Sequence, residues 1–149
     1  MTTKHFTAAK ALLVHGDKVL LLRESTAYQD GLHSGRYDVP GGRLEPDETL
    51  QDGLTREVME ETGLSFTSAD LFYDDHITVE KNGETWHIHR HYFACAAVND
   101  KVTTSTDHDG FIWIDPQDYA AHNIIPKLHE IFKAYLTYIS RTESHSYAS

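Results

Sequence analysis

Five glutamates, Glu45, Glu48, Glu57, Glu60 and Glu61, crowd into the stretch Gly42–Leu64, which reads G-R-L-E-P-D-E-T-L-Q-D-G-L-T-R-E-V-M-E-E-T-G-L. Thr49 ahead of Asp52 is a capping-box-like start and Gly63 is a natural stop, so the spacing predicts a helix from Leu50 to Thr62. At about 100° per residue, Leu50, Leu54, Glu57 and Glu61 fall within roughly 60° of one another, with Val58 on the flank. Leu50 and Leu54 mark that face as the one turned toward the protein. Glu57 and Glu61 continue it, and Glu60 lies at its edge. Carboxylates gathered on a protected face repel each other and lose hydration, at a cost on the order of several kcal/mol per ion. A divalent cation relieves that cost, and an all-oxygen donor set suits Mg²⁺ or Mn²⁺ better than zinc. The competing reading is a solvated acidic helix with Arg56 and Glu60 as an i,i+4 pair; the shared face of Glu57 and Glu61 weighs against it. Gly53 is a second anomaly, costing roughly 1 kcal/mol relative to alanine inside a helix. It implies either a close approach by another backbone segment or a glycine tolerated on a flank.

The same stretch matches the Nudix box at every fixed position, through Gly42, Glu48, Arg56, Glu57, Val58, Glu60, Glu61, Gly63 and Leu64. The chain therefore resembles a Nudix hydrolase. The resemblance implies an α/β/α sandwich with a mixed central sheet, and hydrolysis of a nucleoside diphosphate linked to another moiety. Water attacks a phosphorus of the diphosphate bridge, a reaction helped mainly by positioning and charge neutralisation. Glu57, Glu60 and Glu61 would hold Mg²⁺ or Mn²⁺, and one carboxylate, directly or through a second residue, would accept the proton of the water. Arg56 and Glu48 are implied to be a supporting ion pair, and Gly41 and Gly42 to let the loop backbone approach metal and phosphates. Family members often add a carboxylate ahead of a tryptophan strand. Asp107 has the better spacing to Trp113, with Asp109 the alternative.

Arg23 and Arg36 are the candidate phosphate contacts. Asn123 is comparable to an asparagine that reads the base in MutT-like nucleoside triphosphate pyrophosphohydrolases; its alternative role is capping the final helix. ADP-ribose enzymes tend to carry a proline, and dinucleoside polyphosphate enzymes a tyrosine, some fifteen to eighteen positions past the box. Val79-Glu80-Lys81-Asn82 stands there instead. A non-catalytic Nudix-fold binding domain would be expected to lose box carboxylates, all of which are present. An isomerase on this fold needs a catalytic cysteine, and Cys95 lies in an apolar strand.

The remaining sequence supplies the elements that must position these groups. The 149 residues read as one domain over 1–140 with a polar, disordered tail over 141–149. Phe6–Val14 and Val19–Arg23 read as strands around Gly16-Asp17, followed by a polar loop from Glu24 to Gly35 and a short strand Tyr37–Pro40. Leu71–Val79 and Thr85–Val98 form a hairpin about Asn82-Gly83. Phe111–Ile114 is a further strand, and Pro126–Ser140 an amphipathic helix. His87, His89 and His91 alternate onto one strand face, read as a solvated or cleft-facing strand and not as a metal site. The single Cys95 excludes a disulfide framework and fits a reducing, cytoplasmic compartment. No apolar run is long enough to span a membrane. A formal net charge of −10 argues against nucleic-acid polymers and for a small nucleotide partner drawn in by metal and local basic residues.

Overall fold

The chain folds around a seven-stranded mixed sheet, here in a computed structural model that describes residues 2–25 and 34–148, with side chains through Glu143. Strand β1 (Thr2–His15) turns through Gly16 and Asp17, both with positive φ, into β2 (Lys18–Glu24). After a segment largely outside the described residues, β3 (Tyr37–Asp38) and β4 (Gly41–Arg43) lead into α1 (Leu50–Thr62). Then come β5 (Phe66–Lys81), β6 (Glu84–Ala97) and β7 (His108–Ile114). A short 3-10 helix (Pro116–Ala121) precedes α2 (Lys127–Ala148).

The strand order is β3-β2-β1-β6-β5, with β7 on β2 and β4 on β1. β1 runs parallel to β6 over almost its whole length, while β2 pairs with it only beside the turn, at Val14–Val19 and His15–Lys18. The edge that β2 abandons is taken by β4, with Lys10 opposite Gly41 and Ala9 opposite Gly42. This divergence opens the sheet where the glycine pair lies. Alternation along β1 and β2 divides their side chains between two cores. Leu12, Val19 and Leu21 pack with Leu128, Ile131 and Phe132 of α2. Ala9, Ala11, Leu13, Leu20 and Leu22 pack with Leu54 and Val58 of α1. The result is the expected α/β/α sandwich.

Helix α1 has the predicted bounds. Thr49 Oγ1 accepts from the Asp52 N–H at 3.1 Å, and Gly63, at φ 72°, closes the helix by donating to the Met59 carbonyl. Other boundaries moved. β1 and β5 begin earlier than expected because polar, exposed positions, invisible to a periodicity argument, still pair with β6. The segment expected as one strand at Tyr37–Pro40 is two short strands with different partners. Residues 141–148, expected to be a disordered tail, continue α2; their polar side chains include no proline or glycine that would stop a helix. Gly53 is closely approached, but by the side chains of Leu44 and Glu48 and not by another backbone segment. A Cβ there would sit 2.8 Å from Leu44 Cγ and 3.3 Å from Glu48 Oε1.

Candidate active site

Arg56 organises the acidic face of α1. Its Nε donates to Glu48 Oε2 at 2.7 Å and its Nη2 to Glu48 Oε1 at 2.9 Å, a two-pronged pair. Nη1 reaches Glu57 Oε1 and Glu60 Oε2, each at 3.2 Å, and Nη2 also donates to the Arg43 carbonyl. Arg56 and the Glu45 N–H together hold the Glu48 carboxyl down at about 2. The Glu48–Arg56 pair thus ties the loop before the helix to the helix face and fixes one oxygen of Glu57.

Glu57 and Glu61 are brought against each other and against the glycine pair. The Gly41 N–H donates to Glu61 Oε2 at 3.2 Å. Burial, with the charge of Glu57 adding to it and Lys10 opposing it, pushes the Glu61 carboxyl up to about 8. Without a metal, this burial favours the protonated form of Glu61 at neutral pH. Both glycines are obligatory for this approach. A Cβ on Gly42 would lie 2.9–3.0 Å from the Glu57 carboxylate, and one on Gly41, whose φ is 139°, would collide with the Ala9 carbonyl. Glu60 is different. Its side chain is 57% exposed and rests on Arg56 at the rim.

Beside Glu61 lies a small polar cavity lined by Lys10, Glu24, Asp38, Val39, Gly41, Glu61, Asp107 and His108. Of the two expected loop acids, Asp107 lines it, held by a hydrogen bond from the Ser25 N–H to its carbonyl. Asp109 instead accepts from Arg23 Nε at 2.6 Å. Arg23, expected at a phosphate, thus spends this contact on Asp109 at the end of β2. Arg36 is exposed just before β3. Asn123 donates to the Gly35 carbonyl at 3.4 Å and accepts from the Tyr37 N–H. It therefore braces the β3 entry and does not cap α2, which begins at Lys127.

The ionisable cavity residues Lys10, His108 and Asp38 are among those absent from the sequence expectations. Lys10 Nζ donates to Asp38 Oδ2 at 3.1 Å. Burial alone would lower its pKa, but the carboxylates of Asp38 and Glu61 and the Tyr92 hydroxyl keep it raised, so it is a fixed cation. A charge inside the apolar run Ala8–Leu13 was the signal available for it. His108, whose buried Nδ1 has no hydrogen-bond partner among the described residues, is held below the usual imidazole range by burial and by Lys10. Asp38 gave no such signal, standing in a strand of only two residues.

A divalent cation suits this donor set, since deprotonating Glu61 beside Glu57 requires positive charge and every donor is oxygen. Among the described residues no three acidic, histidine or cysteine side chains converge as they stand. A cation here would thus draw on water, backbone and substrate oxygens besides the carboxylates, as Mg²⁺ commonly does.

A compact mixed sheet between two helices, with paired glutamates against a glycine turn, defines a phosphoanhydride-hydrolase architecture, and comparison with known proteins agrees. The NUDIX domain profile matches residues 4–135, and the chain belongs to the Nudix family. The chain is 30% identical over 119 residues to the nucleoside triphosphatase NudI of Escherichia fergusonii, covering 75% of this chain and 84% of that protein. It is 27% identical to that of Salmonella typhimurium over the same shares. Among solved structures, the MutT protein of Methanosarcina mazei superposes with a TM-score of 0.73 at 24% identity, covering 89% of this chain and 94% of that one. The MutT Nudix hydrolase of Burkholderia pseudomallei superposes at 0.71 and 19% identity, over 87% and 97%. This chain is accordingly a Nudix-type pyrophosphohydrolase, acting on acid anhydride bonds of phosphorus compounds.

Proposed function

We propose that this enzyme is a nucleoside triphosphate pyrophosphohydrolase dependent on Mg²⁺ or Mn²⁺, with the Glu57–Glu61 pair at its centre. The observation that carries the reading is the packing of these two carboxylates against the Gly41–Gly42 turn, with the Gly41 N–H donating to Glu61, an arrangement of crowded oxygen donors that a divalent cation would relieve. The nucleoside triphosphatase name of the relatives supports the substrate class. Glu57 and Glu61 would hold the cation, Gly41 would lie against it, Asp107 would add a carboxylate from the β7 entry, and Glu60 at the rim would be a further ligand or the proton acceptor. When bound, the cation neutralises phosphoryl oxygens and lowers the pKa of the attacking water.

The chain's own residues do the rest. Arg56 fixes an oxygen of Glu57 and, through Glu48, locks the helix to its loop, so both are support residues. Lys10 sets a permanent positive charge beside Glu61, which lowers the cost of ionising it and of admitting a polyphosphate to a chain of net charge −10. A carboxylate of the set accepts a proton from water as the water oxygen attacks phosphorus, and pyrophosphate (attack at the α-phosphorus) or the nucleoside monophosphate (attack at the β-phosphorus) leaves with the bridging electrons. Arg23, once released from Asp109, and the exposed Arg36 are the phosphate contacts of this reading, and Asn123 its base contact. A cysteine-dependent isomerisation is disfavoured, because burial pushes the Cys95 thiol up to about 12. The single domain, and a cytoplasmic setting consistent with one buried free thiol, belong to the same proposal.

The test is chromatographic analysis of the products formed from a panel of nucleoside triphosphates, ADP-ribose and dinucleoside polyphosphates, with and without Mg²⁺. Turnover of a triphosphate to monophosphate and pyrophosphate, abolished by chelator, is expected. Preference for ADP-ribose or a dinucleoside polyphosphate, or full activity in chelator, would overturn the reading.

A further inference from the structure

The sheet face that packs α1 extends beyond the helix, along the first residues of β1 and β6, into a group of imidazoles. His5 stands opposite His87 in the parallel β1–β6 register, and His76 opposite His89 in the antiparallel β5–β6 register. Since alternate residues of a strand share a face, all four rings lie on one side of three neighbouring strands. Ring centroids of His76 and His89 are 4.5 Å apart, His5 and His87 4.8 Å, His76 and His87 5.0 Å, and His5 and His89 6.1 Å. His76 Nε2 already faces His87 Nδ1 at 2.8 Å. The sequence displayed only the alternating run on β6. Strand pairing brings His5 and His76 to it from 82 and 11 residues away.

We propose that His5, His76, His87 and His89 form a binding site for an imidazole-preferring divalent transition metal, Zn²⁺, Ni²⁺ or Cu²⁺, separate from the carboxylate site. A tetrahedral ion with bonds of about 2.0–2.1 Å to nitrogen holds its ligand nitrogens roughly 3.3 Å apart. Centroid spacings of 4.5–6.1 Å put ring nitrogens within reach of that separation, and His76 Nε2 and His87 Nδ1 already stand 2.8 Å apart. The rings now stack, with no three nitrogens aimed at one point. Turning them requires side-chain rotation and loss of the His76–His87 hydrogen bond, and His5, His76 and His89 are exposed. Donor chemistry keeps the two sites apart. Imidazole nitrogen selects zinc, nickel or copper, while the oxygen set at Glu57 and Glu61 suits magnesium or manganese. The proposal does not depend on the substrate assigned above.

Calorimetric titration of Zn²⁺ into chelator-stripped, untagged protein, with Mg²⁺ present in excess, tests it. One equivalent should bind both the native chain and Glu57→Gln. His87→Ala should bind at least roughly tenfold more weakly, because losing a ligand costs no less than losing the hydrogen-bond partner of one. His5→Ala and His76→Ala, at exposed positions where truncation spares the fold, should each weaken binding as well. Absence of saturable binding, equal binding by the native chain and the histidine variants, or loss in Glu57→Gln alone would overturn the proposal.

Discussion

Replacing Glu61 by glutamine should make the metal-free protein more stable at alkaline pH. Unfolded, this carboxyl ionises near its ordinary 4.5; folded, burial and Glu57 push it up to about 8. Between those values the unfolded chain has released a proton that the folded chain keeps. Stability therefore falls as pH rises through that window and levels off above about 8. At about 1.36 kcal/mol per pH unit the ceiling is roughly 5 kcal/mol. The side chain is only partly shielded, and solvent screening brings the expected loss to roughly 2 kcal/mol. For a chain of this size, that is a fall in Tm of about 4–8 °C. Glutamine reproduces the protonated form, since its oxygen can accept from the Gly41 N–H and its amide can donate to Glu57. Thermal unfolding in chelator at pH 5 and pH 8.5, compared between the native chain and Glu61→Gln, isolates this group from every other titration. The native chain should lose the larger Tm and recover it at pH 8.5 on adding Mg²⁺. Parallel pH profiles for the two proteins would refute the burial of a protonated Glu61 beside Glu57.

Asp107→Ala should lower turnover or weaken metal dependence without unfolding the protein, whereas Asp109→Ala, which frees Arg23, should do less; kcat against Mg²⁺ concentration separates them. Gly42→Ala should displace the Glu57 carboxylate that a Cβ would crowd at 2.9–3.0 Å, lowering kcat while circular dichroism stays native. Lys10→Met should weaken metal-free stability least at acid pH and most where Glu61 is ionised, because its cation opposes the Glu61 shift; denaturant titration at two pH values reads this. Arg56→Lys should lower turnover more than stability, as lysine cannot span Glu48, Glu57 and Glu60 together.

Helix α1 was fully legible because its signals are local. A threonine cap, a glycine stop and a leucine-glutamate face all lie within its own residues, and the structure keeps the predicted bounds. The Glu48–Arg56 pair was legible from family spacing, and Asp107 from its distance to Trp113. What stayed hidden depends on which strands become neighbours. Lys10 meets Asp38 and Glu61 only because β2 parts from β1 and β4 takes its edge, a divergence with no periodic signature. His5 and His76 join the β6 histidines through register, which sequence separation conceals. The ends of β5 and α2 were misplaced for a simpler reason: exposed polar residues can extend a strand or helix by backbone hydrogen bonds alone.

The central claim is that Glu57 and Glu61 carry metal-dependent hydrolysis of a nucleotide anhydride. Its most direct test is the rate of pyrophosphate release from nucleoside triphosphates in Mg²⁺, measured side by side for the native chain, Glu57→Gln and Glu61→Gln. The account predicts that each variant stays folded and loses at least about two orders of magnitude in kcat. A variant retaining more than a modest fraction of native turnover would contradict it.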